Sequence, residues 1–452
     1  MTKRIALVAT AAVFVVSFAM TAIASGRATR DRHSAARAHA AASQPDQVIQ
    51  WNQELQKVLV APGAQPASIH PTRTLAITQI AVYDAVNGIV GHRDPFLVDV
   101  GRIHDASPDA AAASAAHTAL DALLPSQSAQ IDAFFQSSLA QIGPGNRVDR
   151  GVAYGAEVAN AVLAARANDG ASATPPGFTP LTGPGEYQLT PPLFPAAGFT
   201  QTPNVTPFVL DSASQFRAPA PPALDSAQYA TDFNEVKSLG RLTSTTRTAD
   251  QTAIGKFWGA APIWVVWNQI ADLAGIGFGN SLAQNARLFA ALDTTLADGA
   301  IALYDSKYAY HRWRPVTAIT AADQGNPNTV ADPTWVPLAV TANDPSYPGA
   351  HAEFSSAAAA VLQRFFHTDS FSFSLTNAGV GITRSFTSFS GASNEAFDSR
   401  IFAGQHFRYD QNAGQAQGTA VAAFVLDHAF GRGDRAGDAD HRDGGRDHRD
   451  GR

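Results

Sequence analysis

The 452-residue chain contains no cysteine. Disulfide bonds, thiolate metal sites and cysteine nucleophiles are therefore excluded, and stability must come from the core. Charge is sparse as well. Asp, Glu, Lys and Arg make up 15% of the residues, and the net charge is −6. No basic excess points to nucleic acid, and no basic run points to an anionic membrane surface. Only one stretch, residues 5–23, approaches the length and apolarity of a membrane span.

That stretch follows Lys3 and Arg4 and ends at Ala22-Ile23-Ala24. A positive start, an apolar run and a small-x-small site are the parts of a signal peptide, so cleavage is expected rather than anchoring. Residues 1–24 are read as the signal peptide and 25–46 as a flexible leader. Residues 431–452 are a run of Arg, Asp, Gly and His that can bury nothing, so a disordered tail is expected. Between them, residues 47–430 form the expected domain. The expected location is secreted or periplasmic.

The chain is 45% hydrophobic and rich in Ala, which favours close-packed helices. Apolar periodicity predicts helices over 51–60, 71–90, 108–141, 147–166, 227–237, 248–258, 263–274, 282–313, 350–366, 396–404 and 412–430. Residues 169–222 are dense in Pro and Gly. They read as an ordered surface crossover that helps wall a pocket, or as a plain linker between two helical halves. Residues 318–347 read as a second loop. No internal repeat is evident. The expected fold class is all-α, a helical bundle with long Pro/Gly-rich loops.

Three short segments carry chemistry. In the first, Lys307 and Arg314 lie seven residues apart, two helical turns, so a continuous helix would put both on one face. Two cations on one face grip an anion, or are a solvated basic stripe. Tyr304, Tyr308, Tyr310 and Trp313 around them are unusual for a fully wet face. In the second, Tyr347-Pro348-Gly349-Ala350-His351 leads into an Ala-rich helix. A helix N-terminus offers unpaired N–H groups to an oxyanion. His351 in its first turn could exchange a proton there, or be a capping or core histidine. In the third, Arg400 can make paired hydrogen bonds to an oxyanion. Asp410 follows His406 by four residues, so one turn would bring the carboxylate to the imidazole and fix its tautomer. The bland alternative is a surface ion pair of Arg400 or Arg408 with Asp410.

Together the segments resemble the signature Lys-x6-Arg-Pro, Pro-Ser-Gly-His and Ser-Arg-x5-His-x3-Asp. This is the signature of the vanadium-dependent haloperoxidase and type 2 phosphatidic acid phosphatase superfamily. The likeness extends to Tyr83-Asp84-Ala85-Val86-Asn87, Phe257-Trp258, Asp332-Pro333-Thr334-Trp335 and Arg384-Ser385-Phe386, over roughly residues 47–430. It implies an all-helical fold and a vanadate cofactor, whose site phosphate can also occupy. It further implies that Lys307, Arg314 and Arg400 hold the equatorial oxygens, with backbone N–H groups around Gly349 and Ala350. His406 would be the vanadium ligand or, in a phosphatase, the nucleophile. His351 would be the general acid–base, and Asp410 would orient His406. The chain departs from the pattern where Gly349-Ala350 stands for Ser-Gly. A charge-assisted bond from the missing hydroxyl is typically worth about 1.5–3 kcal/mol.

Three functions remain open on the sequence. The first is a haloperoxidase that oxidises halide with hydrogen peroxide. The second is a soluble secreted acid phosphatase acting on a phosphate ester. The third is an oxyanion-binding protein whose catalysis is impaired by the Gly349-Ala350 change. The haloperoxidase reading is preferred, because the likeness runs along the whole chain. No nucleic acid, and no membrane beyond the signal peptide, is expected as a partner.

Overall fold

The computed structural model describes residues 45–91, 93–321 and 326–430. The expected signal peptide, nearly all of the leader, and the tail lie outside the described residues. Within them the fold is all-α with one small hairpin, as the sequence led us to expect. The helices of the N-terminal half are α1 (Gln47–Leu59), α2 (Thr72–Val90), α3 (Pro108–Leu123), α4 (Ser128–Ile142) and α5 (Asn146–Ala165). The crossover follows, and then α6 (Ala227–Leu239), α7 (Ala249–Gly259), α8 (Ile263–Phe278) and α9 (Leu282–Tyr310). The last set is α10 (Pro315–Thr320), α11 (Ala350–Phe366), α12 (Phe389–Phe402) and α13 (Arg408–Val425), with β1 (Ser370–Asn377) and β2 (Ile382–Ser388) before α12.

Helix starts follow local chemistry. Asp46, Ser107, Ser226, Thr248 and Ser281 each cap a helix by accepting from the N–H three residues on. Thr248 with Gln251, and Ser281 with Gln284, complete reciprocal capping boxes. The 29-residue α9 is buried along most of its length and lies against α2 on one side and α11 and α13 on the other. α3 and α5 complete the N-terminal side.

Four expectations need correction. The expected helix 108–141 is two helices, because Pro125 has no N–H to continue α3. Residues 370–388, to which the all-α expectation assigned no element, form an antiparallel hairpin. Phe371, Phe373 and Leu375 alternate with polar residues there, a period of two. α9 stops at Tyr310, with His311 in the left-handed region, so Lys307 and Arg314 do not share a helix. α10 then runs from Pro315 into the start of the segment read as a loop, 318–347.

The chain also carries an internal repeat. Pro95-Phe96-Leu97-Val98-Asp99 and Pro207-Phe208-Val209-Leu210-Asp211 are two straps of one design. Phe96, Leu97 and Val98 donate their N–H groups to Asp84 of α2 at 2.6, 3.0 and 3.1 Å. Phe208, Val209 and Leu210 do the same to Asp298 of α9 at 2.6, 2.8 and 3.0 Å. The crossover is therefore pinned to α9, and it walls a pocket as expected. Its residues Gln188, Pro192 and Phe194 face Val316, Trp335 and Leu338 across an apolar cavity of about 680 Å³.

Candidate active site

The three motif segments converge where the end of α9 meets the starts of α10 and α11 and the end of α12. Lys307 sits in the last turn of α9, Arg314 is the N-cap of α10, and His351 is in the first turn of α11. Arg400 lies near the end of α12. The chain then turns at Gly404, whose φ of 75° and close packing on Gly240 favour glycine. That turn lets the Gln405 N–H donate to the Arg400 carbonyl at 2.8 Å and delivers His406 beside Arg314. Lys307, Arg314, Arg400, His406 and Asp410 are all buried.

The tautomer of His406 follows from its partners. Arg314 Nη1 lies 3.0 Å from His406 Nε2. A guanidinium only donates, so Nε2 accepts and the ring proton is on Nδ1. Nδ1 lies 3.2 Å from Asp410 Oδ2. Asp410 is fixed in turn, because Oδ2 also accepts from Ser346 Oγ and from the Phe407 N–H at 3.0 Å. The contact expected from the four-residue spacing is present, although His406 precedes α13 rather than lying within it. Burial, with Arg314, Lys307 and Arg400 nearby, holds the His406 pKa well below the ordinary histidine value. The ring is neutral, with a lone pair on Nε2.

His351 donates from Nε2 to the Trp258 carbonyl at 3.1 Å, taking the carbonyl as the only possible acceptor. Its Nδ1 is then the basic atom. Desolvation and the nearby Arg400 hold its pKa well below the usual value.

The cations share an internal carboxylate that no sequence motif announced. Asp344 Oδ1 accepts from Arg314 Nη2, and the Asp344 carbonyl accepts from Arg314 Nε at 2.8 Å. Asp344 Oδ2 accepts from Tyr304 at 2.9 Å and lies 4.0 Å from Lys307 Nζ. Burial pushes the Asp344 pKa up, but Lys307 and Arg314 outweigh it and hold it below the usual carboxylate value. Lys307 also donates to the Pro345 carbonyl and, at 3.2 Å, to that of Ser346. Desolvation brings its pKa down to about 8.

Arg400 stands apart. It is 7% exposed, yet its Nε and Nη1 donors have no partner among the described residues. Desolvation and the neighbouring Arg314 bring its pKa down to about 9. Leaving buried donors unmade costs about 1–3 kcal/mol each, and more for a charged group. Such a guanidinium fits an oxyanion with two acceptor oxygens. Vanadate and phosphate meet that description. Lys307, Arg314 and Arg400 could hold their oxygens, and His406 Nε2 could supply a fifth ligand.

The backbone part of the expected cradle is narrower than the sequence implied. The Gly349 N–H already donates to the Asp410 carbonyl at 2.8 Å. Ala350, the first residue of α11, keeps the N–H that helix geometry leaves unpaired. Sequence reasoning missed Asp344, Ser346, Gln405 and Gln411. Only the Asp344–Ser346 run, just upstream of the second motif, could have been found by position.

The buried cations and histidines lie together in a helical fold that known proteins share. Residues 287–432 match the family described as VCPO second helical-bundle domain. The vanadium chloroperoxidase of Curvularia inaequalis is 27% identical over 286 residues, 51% of this chain and 46% of that protein. The match thus spans about half the length of that curated relative. The crystal structure described as the first bacterial vanadium-dependent iodoperoxidase superposes with a TM-score of 0.74 at 25% identity. It covers 85% of this chain and 96% of that one. A holo-type bacterial vanadium-dependent chloroperoxidase shares the fold with a TM-score of 0.66 at 15% identity, covering 85% and 98% of the two chains. The chain is thus similar, in its second helical bundle by sequence and over most of its length by fold, to vanadium-dependent haloperoxidases.

Proposed function

We propose that the chain is a vanadate-dependent haloperoxidase that oxidises halide with hydrogen peroxide. The observation that carries the proposal is the buried Arg400, two of whose donors have no partner among the described residues, beside a neutral His406 whose lone pair is on Nε2. Vanadate, when bound, supplies a pentavalent Lewis acid that activates hydrogen peroxide toward halide. The chain's own residues do the rest. Lys307, Arg314 and Arg400 neutralise the oxyanion. His406 offers Nε2 once Arg314 Nη1, which donates to it here, turns to the oxyanion, while Asp410 and Ser346 hold the ring by way of Nδ1. His351 Nδ1 accepts or returns a proton at the edge of the site. Ala350 offers its N–H at the start of α11.

The apolar cavity near this site supports an uncharged organic acceptor for the oxidised halogen. Gln405 ties the two regions together. Its carbonyl accepts from Arg314 at 3.1 Å, and its side chain donates at 2.8 Å to Ala339, which lines the cavity. The proposal includes secretion after cleavage near Ala24, and the N-terminal residue of the mature protein, read by mass spectrometry, checks it.

Activity is tested on two aliquots of the purified protein. One is freed of vanadate and given an aryl phosphate. The other is loaded with orthovanadate and given bromide and peroxide. Vanadate-dependent bromination is the expected result. Hydrolysis that vanadate inhibits, without bromination, replaces the proposal with an acid phosphatase. Vanadate binding without either activity leaves an oxyanion-binding protein.

A further inference from the structure

Gly349 and Gln411 occupy one another's space. Gly349 has a φ of −82°, which any residue adopts, so its backbone conformation does not call for glycine. Its surroundings do. A β-carbon on Gly349 would overlap Gln411 Nε2 and lie 2.7 Å from Gln411 Cδ and 3.2 Å from the Asp410 carbonyl oxygen. The Gln411 amide therefore fills the volume that a side chain at position 349 would take. Gln411 is completely buried, and neither Nε2 nor Oε1 has a partner among the described residues.

A primary amide left unsatisfied in a core is unfavourable, whereas one serving a ligand is not. The position supports the second case. Gln411 follows Asp410, which holds His406, in the first turn of α13. Gly349 precedes Ala350 and His351 at the start of α11. The amide thus sits between the two segments that carry both histidines.

We propose that Gln411 Nε2 is a hydrogen-bond donor to the bound oxyanion, in the place where a hydroxyl side chain at position 349 would otherwise reach. Gly349 is then required as the space that admits the amide. The departure from Ser-Gly before His351 becomes an exchange of one neutral donor for another, rather than a loss. The inference rests on the oxyanion-site reading above.

The test uses orthovanadate binding by calorimetry and thermal melting of the full protein without anion. Gln411→Leu keeps the bulk and removes the amide. Its affinity for orthovanadate should fall roughly ten- to a hundredfold, the worth of one hydrogen bond to a charged group. Its melting temperature without anion should stay level or rise, because an unsatisfied buried amide is gone. A packing role alone would lower the melting temperature and leave affinity alone. A double exchange provides a second readout. Gly349→Ser should bind and fold worse than the parent, since its Cβ meets Gln411. Gly349→Ser with Gln411→Ala clears the space and should recover most of the affinity lost in Gln411→Ala. Parental affinity in both Gln411→Leu and Gln411→Ala, or no recovery in the double variant, overturns the inference. Arg400→Met separates the two levels. If it binds orthovanadate like the parent, the oxyanion site itself is misplaced. If it loses binding while the Gln411 variants do not, only the Gln411 inference fails.

Discussion

Replacing Arg400 by Met should move stability and anion affinity in opposite directions. Arg400 is buried, two of its donors have no partner among the described residues, and desolvation lowers its pKa. A charge-assisted hydrogen bond is worth about 1.5–3 kcal/mol, so two of them supply about 3–6 kcal/mol to a bound oxyanion. The variant should therefore lose roughly two to four powers of ten in orthovanadate affinity. Methionine has a similar length and no charge to desolvate. Removing an uncompensated buried charge should leave the anion-free protein equally stable or more stable. Calorimetric titration gives the first quantity, and a thermal melt without anion gives the second. Affinity within threefold of the parent would refute the reasoning, as would a large loss of melting temperature. Either result would mean that Arg400 is a structural cation whose partners lie elsewhere.

Asp344→Asn keeps an acceptor for Arg314 and removes a negative charge between the cations, so oxyanions should bind more tightly. The gain scales with the anion's charge. For the isosteric pair tungstate and perrhenate, the factor for the dianion should be about the square of that for the monoanion. Equal factors, or weaker binding, would contradict the assignment. Tungstate affinity of the parent should fall as pH rises through about 8, because Lys307 loses its proton there while the Arg400 guanidinium stays charged. Affinity flat to pH 10 in direct titration would place Lys307 elsewhere. A different pH dependence is expected for folding. Burial raises Asp293 to about 7 and Asp272 to about 8, above their unfolded values. Their contribution is complete below about pH 4 and is lost as pH rises through 7 and 8. Denaturant titrations should show Asp293→Asn reducing that decline, and an unchanged slope would show that the carboxyl is not held protonated.

Much of the fold was legible because helix periodicity and caps are local. α11 was read to its last residue from an Ala-rich run after Pro348 and Gly349. The β-hairpin was missed although its alternation of Phe371, Phe373 and Leu375 was plain, because helix was the prevailing expectation. The strap repeat was missed for another reason. Its five residues are too few to stand out until Asp84 and Asp298 are seen to gather the same three N–H groups. At the site, the identities of the motif residues were legible and their arrangement was not. Lys307 and Arg314 were expected on one helical face, but α9 ends between them and Asp344 brings them together. Gln411 could not have been found from spacing. Its importance lies in the room left by Gly349, which is a tertiary fact.

The proposed hold of His406 Nε2 on vanadate, in a site that oxidises halide, is tested by bromide oxidation with vanadate-stripped protein as orthovanadate is added back, for the parent and for His406→Ala. The account predicts a saturable gain of activity in the parent and none in His406→Ala, with both proteins folded. Equal gains in the two, or none in the parent while vanadate binds, would contradict it.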